Sequence, residues 1–116
     1  MNSTDTTAWK QAYILVRQLD AIHKSIESSS GDMTGYPAHA KSYNRFLTQA
    51  NELFESDPAF KASISHLSGL PTNMSDDLIE QFGRLQADIA VLQASVSSFF
   101  DVYSPQEAKK QIGFHQ

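Results

Sequence analysis

The chain carries four histidines, at positions 23, 39, 66 and 115, and these are the first residues to test for chemistry. A catalytic zinc held on a helix takes His-Glu-x-x-His, and a di-iron bundle takes Glu-x-x-His from paired helices. Neither pattern occurs. Asp20 and His23 share a helical face at three-residue spacing, but two donors do not make a metal site. No metal and no cofactor is therefore expected. The absence of cysteine removes thiolate nucleophiles, disulfides and Cys-based zinc. There is no glycine-rich phosphate loop, and a serine elbow would need a strand-to-helix turn that this sequence does not offer. The stretch GYPAHAKSYNRF is more suggestive. Tyr36, His39 and Tyr43 fall on one helical face, each an apolar body with a polar tip, and form the candidate small-ligand surface. Lys41 and Arg45, four apart, make a basic strip on another face.

A second constellation lies upstream, in Arg17-Gln-Leu-Asp-Ala-Ile-His23. An arginine followed by a histidine after a short gap resembles the signature of the HEPN ribonucleases, which are small all-α bundles. The resemblance implies RNA backbone cleavage, with Arg17 and His23 stabilising and protonating the phosphate. The pattern here sits in the first helix, whereas the family carries it late in the fold, and glutamine follows the arginine. A phosphotransfer histidine would stand in His-x-x-Lys-Gly, which neither His23-Lys24-Ser25 nor His39-Ala40-Lys41 supplies.

The elements that must position these residues are helical. Apolar residues recur at alternating four- and three-residue steps, with no strand-like alternation of useful length. Ala8, Ala12, Leu15, Leu19, Ile22 and Ile26 form one such row, widened by Trp9, Tyr13 and Val16. Tyr36, Ala40, Tyr43, Leu47, Ala50 and Phe54 form a second. Leu78, Phe82, Leu85, Ile89, Leu92, Val96, Phe99 and Tyr103 form the longest. Caps and breakers divide the chain into helices over about 6–28, 37–55, 58–68, 76–103 and 105–112. Asp57-Pro58 starts the third, Ser75 caps the fourth, and Ser104-Pro105-Gln106-Glu107 opens the last. The expected fold is a single all-α, up-and-down helical bundle. It has three long layers, the middle one broken at Asp57-Pro58 with the third helix continuing the second. If the third helix instead folds back, a compact four-helix bundle results.

The long row poses the question of its partner. Ile and Val at a with Leu at d suits a two-stranded coil, but the flanking e and g positions carry no complementary charges. Most of the row therefore belongs to this chain's own core. Its last turns, Val96, Phe99, Phe100, Val102 and Tyr103, point in too many directions for one core, so Phe99, Phe100 and Tyr103, with Trp9 and Tyr13, are the expected partner-binding residues. A formal charge of -4 with no basic block argues against nucleic acid and anionic membranes as partners. No apolar run reaches the length of a membrane span, and the polar N-terminus lacks the layout of a signal peptide, so a cytoplasmic protein is expected. The reading that follows is a non-enzymatic interaction or scaffold module, self-associating (a dimer favoured) or docking on another protein, with the HEPN-like ribonuclease as the alternative.

Overall fold

Each of the three apolar rows closes on the others within the same chain. The computed structural model describes residues 3–28 and 33–105, and in them the chain forms four helices and no strand. These are α1 (Ser3–Ser28), α2 (Tyr36–Leu53), α3 (Pro58–Ser63) and α4 (Leu78–Tyr103). Ala12, Leu15, Leu19, Ile22 and Ile26 of α1 are buried, as are Tyr36, Ala40, Tyr43, Leu47 and Ala50 of α2. Phe82, Leu85, Ile89, Leu92, Val96 and Phe99 of α4 complete the core. Each large aliphatic or aromatic side chain removed from water in this way contributes roughly 1.5–3 kcal/mol. The all-α bundle is as the periodicity predicts, and the long row faces its own chain. Of the expected helix over 105–112, all but Pro105 lies outside the described residues.

Ring contacts fix the helix directions. Tyr36, at the start of α2, lies 6.1 Å from Phe82 near the start of α4. Phe54, just past the end of α2, lies 5.2 Å from Phe99 near the end of α4. The intervals between these anchors are almost equal, so both helices rise about 26 Å between them and run parallel. Trp9 and Tyr13, early in α1, meet Phe100 late in α4, at 6.2 and 5.9 Å. α1 is thus antiparallel to α4.

Parallel neighbours need a chain that returns between them, and residues 54–77 provide it. Asp57 takes an extended backbone (φ -127°, ψ 94°), and its carboxylate accepts the Phe60 N–H at 3.2 Å. Pro58 fills the first helical position, where its missing N–H costs nothing. From there the chain comes back along α4 and α2. Ser63 donates to Ser95 at 3.1 Å, and farther on Arg84 reaches Ser68 at 3.5 Å. The Asn44 amide then holds Leu70 from both sides, donating to its carbonyl at 2.9 Å and accepting its N–H at 2.8 Å. Finally the Tyr36 hydroxyl donates to the Pro71 carbonyl at 2.8 Å.

The expected continuation of α2 by the third helix is therefore corrected: α3 folds back. It also stops at Ser63, not near 68. Beyond it Ile64, Leu67 and Leu70 are all buried, a spacing of three that mimics a helix in the sequence. Pro71 and the Asn44 clamp hold the stretch open instead. The start of α4 differs as well. Asp77, not Ser75, is the N-cap, and its side chain makes no cap bond. The Ser75 hydroxyl accepts the Asp77 N–H at 3.3 Å and donates to Gln81 at 2.9 Å, bracing the turn before the helix.

Candidate interaction surfaces

The aromatic end of α4 is closed by its own chain. Phe99 and Phe100 are only 3% and 2% exposed. Phe99 packs on Phe54 at 5.2 Å, Phe60 at 5.3 Å and Tyr103 at 4.4 Å. Phe100 packs on Trp9 and Tyr13, which are half-buried over it. Surplus apolar surface, the ground for expecting a partner on Phe99 and Phe100, does not hold for those two residues. Different elements cover different sides of the helix. Tyr103 remains 39% exposed, and its hydroxyl donates to the Asp57 carboxylate. That bond, with the Phe60 N–H, holds the Asp57 carboxyl below its ordinary pKa. On the outer side of α1, Lys10 lies 5.7 Å from the Trp9 ring centre, and Arg17 stacks on and bonds to Tyr13.

Tyr36, His39 and Tyr43 do not form a ligand strip. Tyr36 and Tyr43 are fully buried as members of the α2 core row, and His39 is half-buried beside Gly35. The Tyr36 hydroxyl is committed to Pro71. The Tyr43 hydroxyl is buried without a hydrogen-bond partner among the described residues. Burial, then the Asp88 carboxylate nearby, pushes the Tyr43 pKa well above the ordinary tyrosine range. Of the basic strip, Lys41 is exposed and Arg45 lies 5.1 Å from the Phe46 ring centre.

Arg17 and His23 turn to different partners. Arg17 donates back to the Tyr13 hydroxyl at 3.0 Å, while His23 pairs forward with Glu27 at 3.2 Å. They sit about 120° apart on one helix, and among the described residues each has its own partner. Asp20 is taken by Lys24 at 3.0 Å rather than shared with His23. Among the described residues no group of three potential ligands could hold a metal.

No family model, curated protein or solved structure matches this chain. Function must therefore be argued from its surfaces. No helix among the described residues is long and apolar enough to cross a membrane.

The outward face of α4 is the surface that the apolar periodicity does not register. Opposite the buried row run Gly83, Ala87, Ala90, Ala94, Ser97 and Asp101, again at four- and three-residue steps. All but Ser97 are exposed, and Ser97 is half-exposed. A Cβ added to Gly83 would meet nothing within 4 Å. Ile79, beside the start of the row, is 77% exposed, while the preceding position of the row itself is Glu80. Asp101 is the single charge in it; Arg84 and Asp88, paired at 3.6 Å, stand to one side. An exposed helix face normally carries Lys and Glu, so a row that is small and uncharged from Gly83 to Ser97 has the composition of a contact rather than a solvated surface. The spacing is present in the sequence, but alanine, serine and glycine carry too little apolar surface to mark a face as large apolar residues do. A second feature is a cleft of about 420 Å³ between α1 and α2, floored by Ile14, Leu15 and Leu53.

Proposed function

We propose that this protein is a non-enzymatic interaction module that self-associates through the outward face of α4. The observation that supports this reading is the second heptad row, from Gly83 to Asp101, on a helix whose other face already fills the core. Small side chains let two helix backbones approach closely, and because the row's one charge, Asp101, stands at its end, the stretch from Gly83 to Ser97 leaves no buried charge unpaired when another such row covers it. The row satisfies the requirement it imposes on a partner, which is the condition for a two-fold pair. α4 is about 39 Å long. Two such faces pressed together bury on the order of 800 Å² in total, below the range of permanent complexes. The association is accordingly a reversible, concentration-dependent one. We place its work in the cytoplasm on the acidic, cysteine-free composition.

Sedimentation velocity of wild type and Ala90→Glu, from micromolar to millimolar concentration, tests this. The wild type is expected to show a sedimentation coefficient that rises with concentration. The variant is expected to stay monomeric with an unchanged helical circular dichroism spectrum. A wild type that remains monomeric at millimolar concentration, or a variant that associates equally well, would refute the reading. The ribonuclease alternative has no comparable support, because Arg17 and His23 face apart.

A further inference from the structure

The cleft between α1 and α2 takes no lining residue from α4, so it is independent of the self-association surface. Its floor is apolar, and Ile14 within it is 55% exposed although it lies beside the fully packed row of α1. Its rim is made of Gln11 and Gln18 from α1, one heptad apart, with Gln49 and Glu52 across from them on α2. None of these four side chains makes a hydrogen bond or ion pair within the described residues. Three amides and one carboxylate, all solvent-exposed, therefore border the same hollow without a protein partner among the described residues.

A glutamine amide offers one donor side and one acceptor side, the same pair that a peptide group presents. This chain already uses that match, since the Asn44 amide holds the N–H and C=O of Leu70. The span from Gln11 to Gln18 is about 10 Å along α1, which equals roughly three residues of extended chain. The cleft's volume falls within the usual range for binding sites of small size. Among the described residues Glu52 is the only charged group in the lining, so the complementary charge on the occupant is positive.

We propose that this cleft binds a short extended segment of a partner protein in which an apolar residue stands next to lysine or arginine. The apolar side chain sits over Ile14, Leu15 and Leu53. The glutamine amides pair with the segment's backbone, and Glu52 receives its cation. Recognition is of the peptide backbone plus a two-residue pattern, so affinity for one isolated segment is weak.

The test is a titration of the full chain, followed by NMR, with two blocked tetrapeptides, acetyl-Gly-Leu-Lys-Gly-amide and acetyl-Gly-Leu-Glu-Gly-amide. The Leu-Lys peptide is expected to shift the methyl signals of Ile14 and Leu53 and the side-chain amides of Gln11, Gln18 and Gln49 in a saturable way. It should bind about fivefold more tightly than the Leu-Glu peptide, the size of an exposed ion pair. Glu52→Gln, an exposed and isosteric change, should erase that preference while leaving the backbone spectrum of the core unchanged. The proposal is overturned if neither peptide gives saturable shifts at millimolar concentration, or if the shifts map to α4. It is equally overturned if the two peptides bind alike, or if the preference survives Glu52→Gln.

Discussion

Tyr43→Phe should make this protein more stable, although it removes a polar group from a tyrosine at the centre of the fold. Tyr43 has no exposed surface, and its hydroxyl finds no partner among the described residues. A buried hydroxyl without a partner costs about 1–3 kcal/mol relative to its hydrated state in the unfolded chain. Phenylalanine keeps the ring and loses only that cost, less a small loss of packing where the oxygen was. A net gain of about 1–2 kcal/mol is expected, or about 4–8 °C in Tm. Urea unfolding should show a higher midpoint at an unchanged slope, which marks a change in stability rather than in compactness. The alkaline limb gives an independent check. Because the folded-state pKa of Tyr43 is raised, above about pH 10 the unfolded chain releases a proton that the folded chain retains. The unfolded state then binds fewer protons, so stability falls with rising pH by up to about 1.4 kcal/mol per pH unit from this group. Tyr36 is shifted in the same direction by burial, so in Tyr43→Phe the limb should become shallower without vanishing. A variant less stable than wild type by about 1 kcal/mol would show that the hydroxyl is hydrogen-bonded in solution, and the reasoning would fail.

Three further outcomes are expected. Asn44→Ala strips both the N–H and the C=O of Leu70 of their partner and should cost about 1–3 kcal/mol, with loss of hydrogen-exchange protection at the Leu70 amide. Tyr103→Phe should raise the Asp57 pKa measured by NMR; because that pKa is depressed in the fold, the carboxylate's contribution is present above about pH 4 and lost as pH falls, so the variant's acid limb should be flatter. Gly83→Ala should stabilise the monomer by about 1 kcal/mol in thermal unfolding at low concentration, since a methyl there meets nothing and removes backbone freedom from the unfolded chain; no gain would mean the position is not open helix surface.

The long helices were legible because their side chains obey one local rule. Every large apolar residue at the four-three positions from Phe82 to Phe99 is buried, and the same rule places Ala12 to Ile26 and Tyr36 to Phe54. It also accounts for Tyr36 and Tyr43, which are seven apart: that is a core spacing before it is a ligand-binding one. The return leg was not legible. Ile64, Leu67 and Leu70 continue a helical spacing, and what holds the returning chain in place is Asn44, distant in sequence and ordinary in type. The aromatic end failed for a related reason. Periodicity shows that Phe99 and Phe100 face different ways, but not that Phe60 waits on one side and Trp9 on the other. Long-range coverage is a property of topology, and local spacing does not encode it.

The return leg has an electrostatic consequence. In a bundle of four long helices, two up and two down, the peptide dipoles cancel in pairs. Here the leg between α2 and α4 is one short helix and then open chain, so the parallel dipoles of α2 and α4 are opposed by α1 alone. About one helix dipole is left over, positive at the end where α2 and α4 begin. Asp76, Asp77 and Glu80 lie at that end of α4, while its last turn holds no basic residue. The acidic residues offset the surplus where it is positive, and the opposite end keeps its negative pole. The same carboxylates in the last turn of α4 would face its negative pole instead, so their placement stabilises the helix in the direction in which it runs.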